Sequence, residues 1–372
     1  MKKTIWSILL LCLLISAGCS EKPAGTLEEG NVNVILLGDT RYLYDTIIDR
    51  SQFEQGERIG TASGNGRKFE IYTVQNDGNR EYLYVLTEDQ TERIYVKESL
   101  VREMEKEVKT VCFDGKEMDY IRFGSRSGPT LVILPGLSLK SVMGSAAAII
   151  QAYQILAKDY DILLMDRIRE IPQGCDMQAM AEDTEKALQE LHVSPSFIMG
   201  VSQGGMIGLH MAMDRYCPGG LILCSASSRI GEESAAVLGE WKRLAQERNL
   251  PALMETFGEY VYTPSFYEQY KEIITASGSG ASEQDYENFI RSIDGMIDFD
   301  VYDRLEEIHC PVYVLGAGED RILGAQASRD LMEKLHCDGY IYEGYGHGVY
   351  DEAPDYLERI GQFLAGISHP LE

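Results

Sequence analysis

Residues 197–213 read FIMGVSQGGMIGLHMAM. Phe197 to Val201 is a short, uncharged apolar run, the pattern of a strand buried on both faces, and Met206, Leu209 and Met213 follow it at helical spacing. Between them, Gly200-Val201-Ser202-Gln203-Gly204 sets a serine between two glycines. In a strand-turn-helix setting such a G-x-S-x-G run is a nucleophile elbow. The turn is tight and neighbouring backbone passes close to positions 200 and 204, while Ser202 itself must take a strained conformation. The helix behind it aims free N–H groups and a partial positive charge at any negative charge that develops there.

The same alternation extends along the chain on either side. Leu131–Leu134, Ile162–Met165, Leu221–Cys224, Val312–Leu315 and Tyr340–Tyr342 are further short strands, separated by helical segments. This pattern predicts an α/β fold with a mostly parallel, doubly wound sheet covered on both faces. Asp176 is placed to cap a helix whose apolar positions include Met177, Met180, Ala187 and Leu188. Pro354–Ile367 is a closing helix. One long interruption, about residues 226–308, replaces strands by helical stretches such as Glu232–Asn249 and Ser282–Ile293, and predicts a helical cap over one end of the sheet.

A serine hydroxyl is a poor nucleophile unless a base takes its proton, so a histidine must reach Ser202 and a carboxylate must orient that histidine. Of the six histidines, His347 lies in Gly344-Tyr345-Gly346-His347-Gly348, a glycine-rich loop between the last strand and the last helix, at the sheet's C-terminal edge. His336 precedes that strand and falls at the opposite edge. His210 sits two turns into the elbow helix, and His192, His309 and His369 lie at element ends or in the tail. Gly316-Ala317-Gly318-Glu319-Asp320 follows Val312–Leu315, again at the C-terminal edge. Asp320 is the candidate acid and Glu319 its competitor.

Ser202, Asp320 and His347 in this chain order resemble the α/β-hydrolase superfamily, its serine esterase and peptidase-like members in particular, over about residues 110–368. Leu134-Pro135-Gly136-Leu137 resembles the family's first oxyanion loop, with Pro135 where a histidine is usual. The resemblance implies that the N–H groups of Leu137 and Gln203 hold the oxyanion. Acyl transfer puts charge on the carbonyl oxygen, and each preorganised donor lowers the barrier by ~3 kcal/mol. Met165-Asp166-Arg167 resembles the family's strand-end Asp-Arg segment, a structural element. No cofactor is implied.

The N-terminal third has a different character. Lys2 and Lys3, the apolar run Thr4–Ala17 and Ala17-Gly18-Cys19 resemble a bacterial lipoprotein signal, with Ser16 where leucine is usual. Residues 1–18 would be removed and Cys19 lipidated; the run is too short for a membrane span, which needs about 20 residues. Residues 19–31, rich in Gly, Glu, Pro and Ser, read as a tether. Residues 32–97 read as a small antiparallel β module, because Lys68–Val74, Tyr82–Thr87 and Arg93–Lys97 are β-branched and aromatic and Asn76-Asp77-Gly78-Asn79 is a strong turn signal. Its tyrosines read as half-buried strand residues, with no chemistry assigned. Residues 98–109 read as a connecting helix and residues 110–372 as the hydrolase-like domain.

Composition narrows the function. A net charge of −25, from 59 acidic against 34 basic side chains over 372 residues, repels phosphate and excludes nucleic acid as a partner. It also keeps the body off anionic lipid, so membrane attachment rests on the Cys19 lipid. Cys112, Cys175, Cys217, Cys224, Cys310 and Cys337 offer no C-x-x-C pair and no Cys/His spacing suited to zinc, so no metal is expected. The function expected is a membrane-tethered, extracytoplasmic serine hydrolase that takes a carboxylic ester or thioester through an acyl-enzyme. Small-peptide hydrolysis uses the same fold and triad, and a noncatalytic binding lipoprotein is the reading from another class. Aromatic residues in the cap, Trp241, Phe257, Tyr260, Tyr262, Phe266, Tyr267, Tyr270 and Phe289, with Met254 and Met296, predict an apolar acyl or aryl pocket over Ser202.

Overall fold

The computed structural model describes residues 23–29, 31–44, 53–105, 108–216 and 219–368; the leader at 1–18, Cys19, Cys217 and His369 lie outside the described residues. The chain opens with β1 (Gly25–Glu28), β2 (Asn31–Leu37), β3 (Thr40–Tyr44), β4 (Gln55–Gly64), β5 (Arg67–Val74), β6 (Tyr82–Leu86) and β7 (Glu92–Lys97). These close into a barrel in the order β1-β2-β3-β7-β6-β5-β4. All neighbours are antiparallel except the closing pair, where Gly25 and Thr26 run parallel to Ala62 and Ser63. Alternate residues point inward, and Ile35, Phe69, Ile71, Leu83, Val85 and Tyr95 form a core of the barrel's own.

The tether reading of residues 19–31 is corrected here. Gly25–Glu28 and Asn31 belong to barrel strands, and Leu27 is 5% exposed. Composition misleads because β1 takes its hydrogen bonds from β2 and β4, and pairing across the barrel overrides a Gly- and Glu-rich sequence. A Cβ on Gly64 would sit 2.8 Å from the Leu27 carbonyl oxygen, which shows how closely the strands approach.

After α1 (Glu98–Glu105), the second body carries β8 (Lys109–Phe113), β9 (Lys116–Gly124), β10 (Thr130–Leu134), β11 (Asp161–Ile168), β12 (Phe197–Val201), β13 (Gly220–Cys224), β14 (Val312–Ala317) and β15 (Asp338–Tyr342). The connecting helix thus stops earlier than residue 109, where β8 begins. The strand order is β15-β14-β13-β12-β10-β11-β9-β8. From β11 to β15 every neighbour is parallel, whereas β9 and β8 form an antiparallel edge. That hairpin carries no apolar run long enough to announce itself; the Asp114-Gly115 turn at φ 48° and 76° closes it. Val132 and Leu134 of β10 face one core while Leu131 and Ile133 face the other, which is why the parallel strands read as continuous apolar runs.

Helices α2 (Ala146–Ala152), α3 (Gln154–Ala157), α4 (Met177–Glu190), α5 (Gln203–Met213), α10 (Ala325–Leu335), α11 (Val349–Glu352) and α12 (Tyr356–Ser368) connect these strands, and α6 (Glu232–Gln246), α7 (Leu250–Val261), α8 (Pro264–Ala276) and α9 (Glu283–Ile297) lie between β13 and β14 as the cap. Asp176 caps α4 by accepting from Ala179 N at 2.8 Å. The barrel docks on α2, where Val74, Tyr84, Ile94 and Val96 pack with Ala148, and Tyr82 Oη donates to Gln151 Oε1 at 2.6 Å. It also reaches the cap through the Arg67–Glu272 ion pair at 3.0 Å. Strand order reverses between β10 and β12, and such switch points open a crevice at the strands' carboxyl ends. Pro135 and Ser202 are the first residues past those two ends.

Candidate active site

Ser202 stands between β12 and α5 at φ 50° and ψ −114°, a strained conformation for any residue but glycine. The glycines around it are dictated by backbone proximity. A Cβ at Gly204 would lie 2.0 Å from the Leu134 carbonyl oxygen, and one at Gly200 2.4 Å from the Gly204 carbonyl oxygen. Ser202 N donates to Cys224 O at 2.8 Å, which ties the elbow to the end of β13. The next residue, Ser225, donates its hydroxyl to His347 O at 2.7 Å. The histidine loop is therefore fixed to the residue that follows the elbow's anchor.

His347 Nδ1 and Asp320 Oδ2 are 2.8 Å apart, with both side chains at most 4% exposed. The other carboxylate oxygen of Asp320 accepts from Ile322 N at 2.8 Å and Leu323 N at 2.9 Å. Burial pushes this carboxyl up. The neighbouring His347 charge and hydrogen bond, with the Leu323 and Ile322 N–H groups, outweigh burial and hold the pKa below the usual carboxylate value. Glu319 is exposed and among the described residues only its backbone is hydrogen-bonded, N to Tyr345 O at 2.9 Å. The structure thus pairs Asp320, and not Glu319, with His347. No hydrogen bond joins the Ser202 hydroxyl to His347 among the described residues; such bonds between nucleophile and base commonly tighten only around a substrate. His210, by contrast, is buried against Phe299, their rings 5.8 Å apart.

Leu137 follows Gly136 as Gln203 follows Ser202. Gly136 passes beside Ser202, since a Cβ on it would lie 3.4 Å from Ser202 Cβ. Arg167 holds this loop in a way that motif reading missed. Its Nη1 donates to Gly136 O at 2.8 Å and to Gln203 Oε1 at 3.0 Å, and its Nη2 donates to Ser138 Oγ at 2.6 Å. A trans peptide sets C=O and N–H in opposite directions, so anchoring Gly136 O on Arg167 turns Leu137 N–H away from Arg167. Among the described residues neither Leu137 N nor Gln203 N has a backbone acceptor. Arg167 thus holds the loop in which Pro135 stands, and the sequence signal for it was the Asp166-Arg167 pair.

The cap grips both loops. Gly348 N donates to Val261 O at 2.7 Å, Tyr262 Oη to Asp351 Oδ2 at 2.7 Å and Thr263 Oγ1 to Glu352 Oε2 at 2.6 Å. Arg321, next to Asp320, donates to Tyr262 O at 2.9 Å and also to Glu259 O. Beneath the cap lies a cavity of about 920 Å³ whose floor includes Gly136, Leu137 and Val201. Ser202 itself is 7% exposed; it follows Val201 of that floor in the chain, and neither it nor His347 is among the residues lining the cavity. The expected cap set divides: Phe257, Tyr262, Phe266, Tyr270 and Phe289, with Met254, line the cavity, while Trp241, Tyr267 and Met296 are buried in packing and Tyr260 faces solvent. Two barrel residues, Asn33 and Tyr44, line it as well.

Comparison with known proteins places this geometry among relatives. "Putative carbamate hydrolase RutD" of Agrobacterium fabrum is 25% identical over 252 residues, covering 63% of this chain and 93% of that protein. The 3-oxoadipate enol-lactonase 2 of Acinetobacter baylyi is 24% identical over 162 residues, 42% of this chain and 58% of its own length. Among solved structures, the enol-lactonase from Burkholderia xenovorans superposes with a TM-score of 0.59 at 18% identity, covering 69% of this chain and all of that one. A thermophilic esterase from Thermogutta terrifontis gives 0.58 at 19% identity, covering 70% and 99%. Both share the fold. Residues 131–360 match the model described as the Alpha/beta hydrolase family, and this chain belongs to that family of hydrolases.

Proposed function

We propose that this hydrolase is a serine enzyme that cleaves a carboxylic ester or thioester through an acyl-enzyme, with Ser202 as nucleophile, His347 as base, Asp320 as its orienting acid and the N–H groups of Leu137 and Gln203 as the oxyanion hole. The observation that carries this reading is the His347–Asp320 pair at 2.8 Å, fixed through Ser225 to the strand end that also anchors the strained Ser202 turn. Ser202 Oγ attacks the carbonyl carbon as His347 Nε2 takes its proton. The carbonyl π electrons move to the oxygen, which the two N–H groups receive. When they return, the bond to the leaving group breaks and His347 protonates that group. Water, losing a proton to His347, then attacks the acyl carbon; the Ser202–acyl bond breaks and the serine recovers its proton. Carbamates and enol-lactones, named in the relatives, are also carbonyls bearing a heteroatom leaving group. Their sharing of the fold supports this reaction type.

Ser202→Ala and His347→Ala are each expected to lower kcat on p-nitrophenyl esters by a factor on the order of 10⁴ or more with unchanged thermal unfolding, because attack and proton removal act as one unit. Asp320→Asn is expected to lose activity by failing to hold the imidazole tautomer. Near wild-type turnover in Asp320→Asn alongside an inactive Glu319→Gln would reverse the acid assignment.

Arg167 is a positioning residue in this reading. Arg167→Met is expected to lower kcat by about 100-fold, the scale for one lost oxyanion donor, with KM changed far less. Arg167→Lys should recover part of the loss by keeping one donor to Gly136 O. A KM-only effect would show that the side chain merely supports the pocket.

The acyl group is assigned to the apolar lining of Phe257, Tyr262, Phe266 and Tyr270. Each buried methylene contributes about 0.8 kcal/mol, so kcat/KM should rise several-fold from acetyl to butyryl or hexanoyl esters and fall once the pocket is full. A flat or falling trend from acetyl onward would move the assignment to small peptides.

Location is proposed from the leader. Among the described residues no helix is long and apolar enough to cross a membrane. A diacylglyceryl group on Cys19 would tether the chain on the extracytoplasmic face, since two acyl chains suffice for stable anchoring. Cys19→Ser should shift the protein from the membrane to the soluble fraction; retention on salt-washed membranes would sink the lipid anchor.

A further inference from the structure

His347 stands between Gly346 and Gly348, and two flanking glycines would leave its backbone unusually free to rotate. The cap removes that freedom. A Cβ on Gly346 would lie 2.9 Å from both Thr263 N and Val261 O, and one on Gly348 would lie 2.5 Å from the Tyr262 ring. Gly348 N also donates to Val261 O at 2.7 Å. The glycines on either side of the histidine thus mark a close approach of cap backbone, as those around Ser202 mark the passage of β10. Glu352, at the end of α11, closes the same grip. Its Oε1 accepts from Thr263 N at 3.0 Å and its Oε2 from Thr263 Oγ1 at 2.6 Å, and the Gly346 backbone N–H is hydrogen-bonded to this carboxylate as well.

The acid is held to the same stretch from the other side. Arg321, the residue after Asp320, is exposed, and its Nη2 donates to Tyr262 O at 2.9 Å and to Glu259 O. These carbonyls lie at the C-terminal end of α7, where a helix leaves its last C=O groups without partners and its dipole favours a cation. Within the hydrolase body the two loops are joined by Glu319 N to Tyr345 O at 2.9 Å, and Ser225 holds His347 O at 2.7 Å. The cap adds the bonds to residues 321, 346 and 348, which directly flank the acid and the base. Residues 259–263 are therefore a single piece of backbone bound from both members of the His347–Asp320 pair.

We propose that Arg321 and Glu352 are positioning residues that splint Asp320 and His347 across residues 259–263, so that the cap is part of the frame of the catalytic pair as well as a roof over the cavity. This rests on the serine-hydrolase reading and deepens it: the base is aimed at Ser202 only while the cap is docked. Arg321 acts through Asp320, and Glu352 through Gly346. Arg321 is not among the residues lining the cavity, whereas Glu352 is. Loss of the arginine side chain therefore reaches the chemistry without altering the walls that bind substrate, and its effect belongs in kcat.

The test measures p-nitrophenyl butyrate hydrolysis by the full chain. Arg321→Met is expected to lower kcat by about tenfold, part of the ~100-fold that a 1 Å misplacement costs, and to leave KM within about twofold of wild type. Arg321→Lys, which keeps a donor for Tyr262 O, should recover part of the loss. The downfield proton resonance of the His347–Asp320 hydrogen bond should broaden in Arg321→Met and sharpen again in Arg321→Lys. Glu352→Ala should also lower kcat, and the double variant should lose less than the product of the two single losses, because both side chains act on one splint. Where Glu352→Ala fails to fold, the Arg321 variants decide alone, since that side chain is exposed. An active wild type beside a folded Arg321→Met with unchanged kcat, or with its loss confined to KM, overturns the splint alone, as do kcat losses that multiply in full. No turnover by the wild type together with no fluorophosphonate labelling of Ser202 overturns the serine-hydrolase reading and the splint with it.

Discussion

The close passage of Gly204 beneath the Leu134 carbonyl is the constraint on which the rest of the site depends. A Cβ there would approach that oxygen to 2.0 Å, so the elbow and the end of β10 are built as one piece of touching backbone. This contact requires β10 and β12 to be neighbours, which they are only because the strand order reverses between them. It also helps to hold Ser202 at φ 50°, with Gly204 packed on the Leu134 carbonyl and Ser202 N bound to Cys224 O. Strain of that kind costs about 1–3 kcal/mol, and the buried strands β10 to β14 on either side supply the stability that offsets it. Arg167 extends the same unit, since one guanidinium binds the loop after β10, Gly136 O, and the first residue of α5, Gln203.

Much of this was legible in sequence for a physical reason. A parallel strand buried on both faces must be apolar throughout, so Phe197–Val201 and its neighbours stand out from the helices, and a tight turn that excludes Cβ atoms leaves glycines as its mark. Asp320 and His347 were legible because strand ends are fixed once strands are placed. What composition could not show depended on pairing at a distance. β1 is polar and short and exists because β2 and β4 flank it; the β8–β9 hairpin is an edge with charged residues. Arg167 was seen as structural because a motif names a residue without its partners. The cap's aromatic set was legible only as a set: which rings face the cavity depends on the rotation of α8, where Phe266 and Tyr270 point inward and Tyr267 packs away.

The junction of α7 and α8 reaches both the Asp320 and the His347 loops. Gly348 N, Asp351 and Glu352 are bound by Val261, Tyr262 and Thr263, while Arg321 binds Tyr262 O from the Asp320 side. A cap that shifted would move the histidine loop with it. Asp320 adds a dependence on pH whose sign is set by its lowered pKa. Because the folded carboxyl is more acidic than the unfolded one, the stability it contributes is present above the unfolded pKa and is lost as pH falls through the folded value. Acid therefore removes the contribution of Asp320 only as pH falls through a folded value that lies below the usual carboxylate range.

The barrel's place follows from what its backbone leaves free. A closed barrel has no unpaired edge and cannot recruit a further strand from a partner. Its outer face is spent on α2, through Val74, Tyr84, Ile94 and Val96. Among its described residues the buried, unpartnered polar side-chain atoms belong to Asn33, Arg41 and Arg93. Arg41 is already paired with Glu28 at 2.9 Å and Glu98 at 3.2 Å. The remaining two are set near Tyr44, at the end where the Arg67–Glu272 pair fastens the barrel to α8. Among the described residues the barrel is joined to α8 by this ion pair and to α2 by packing, and its Asn33 and Tyr44 line the cavity.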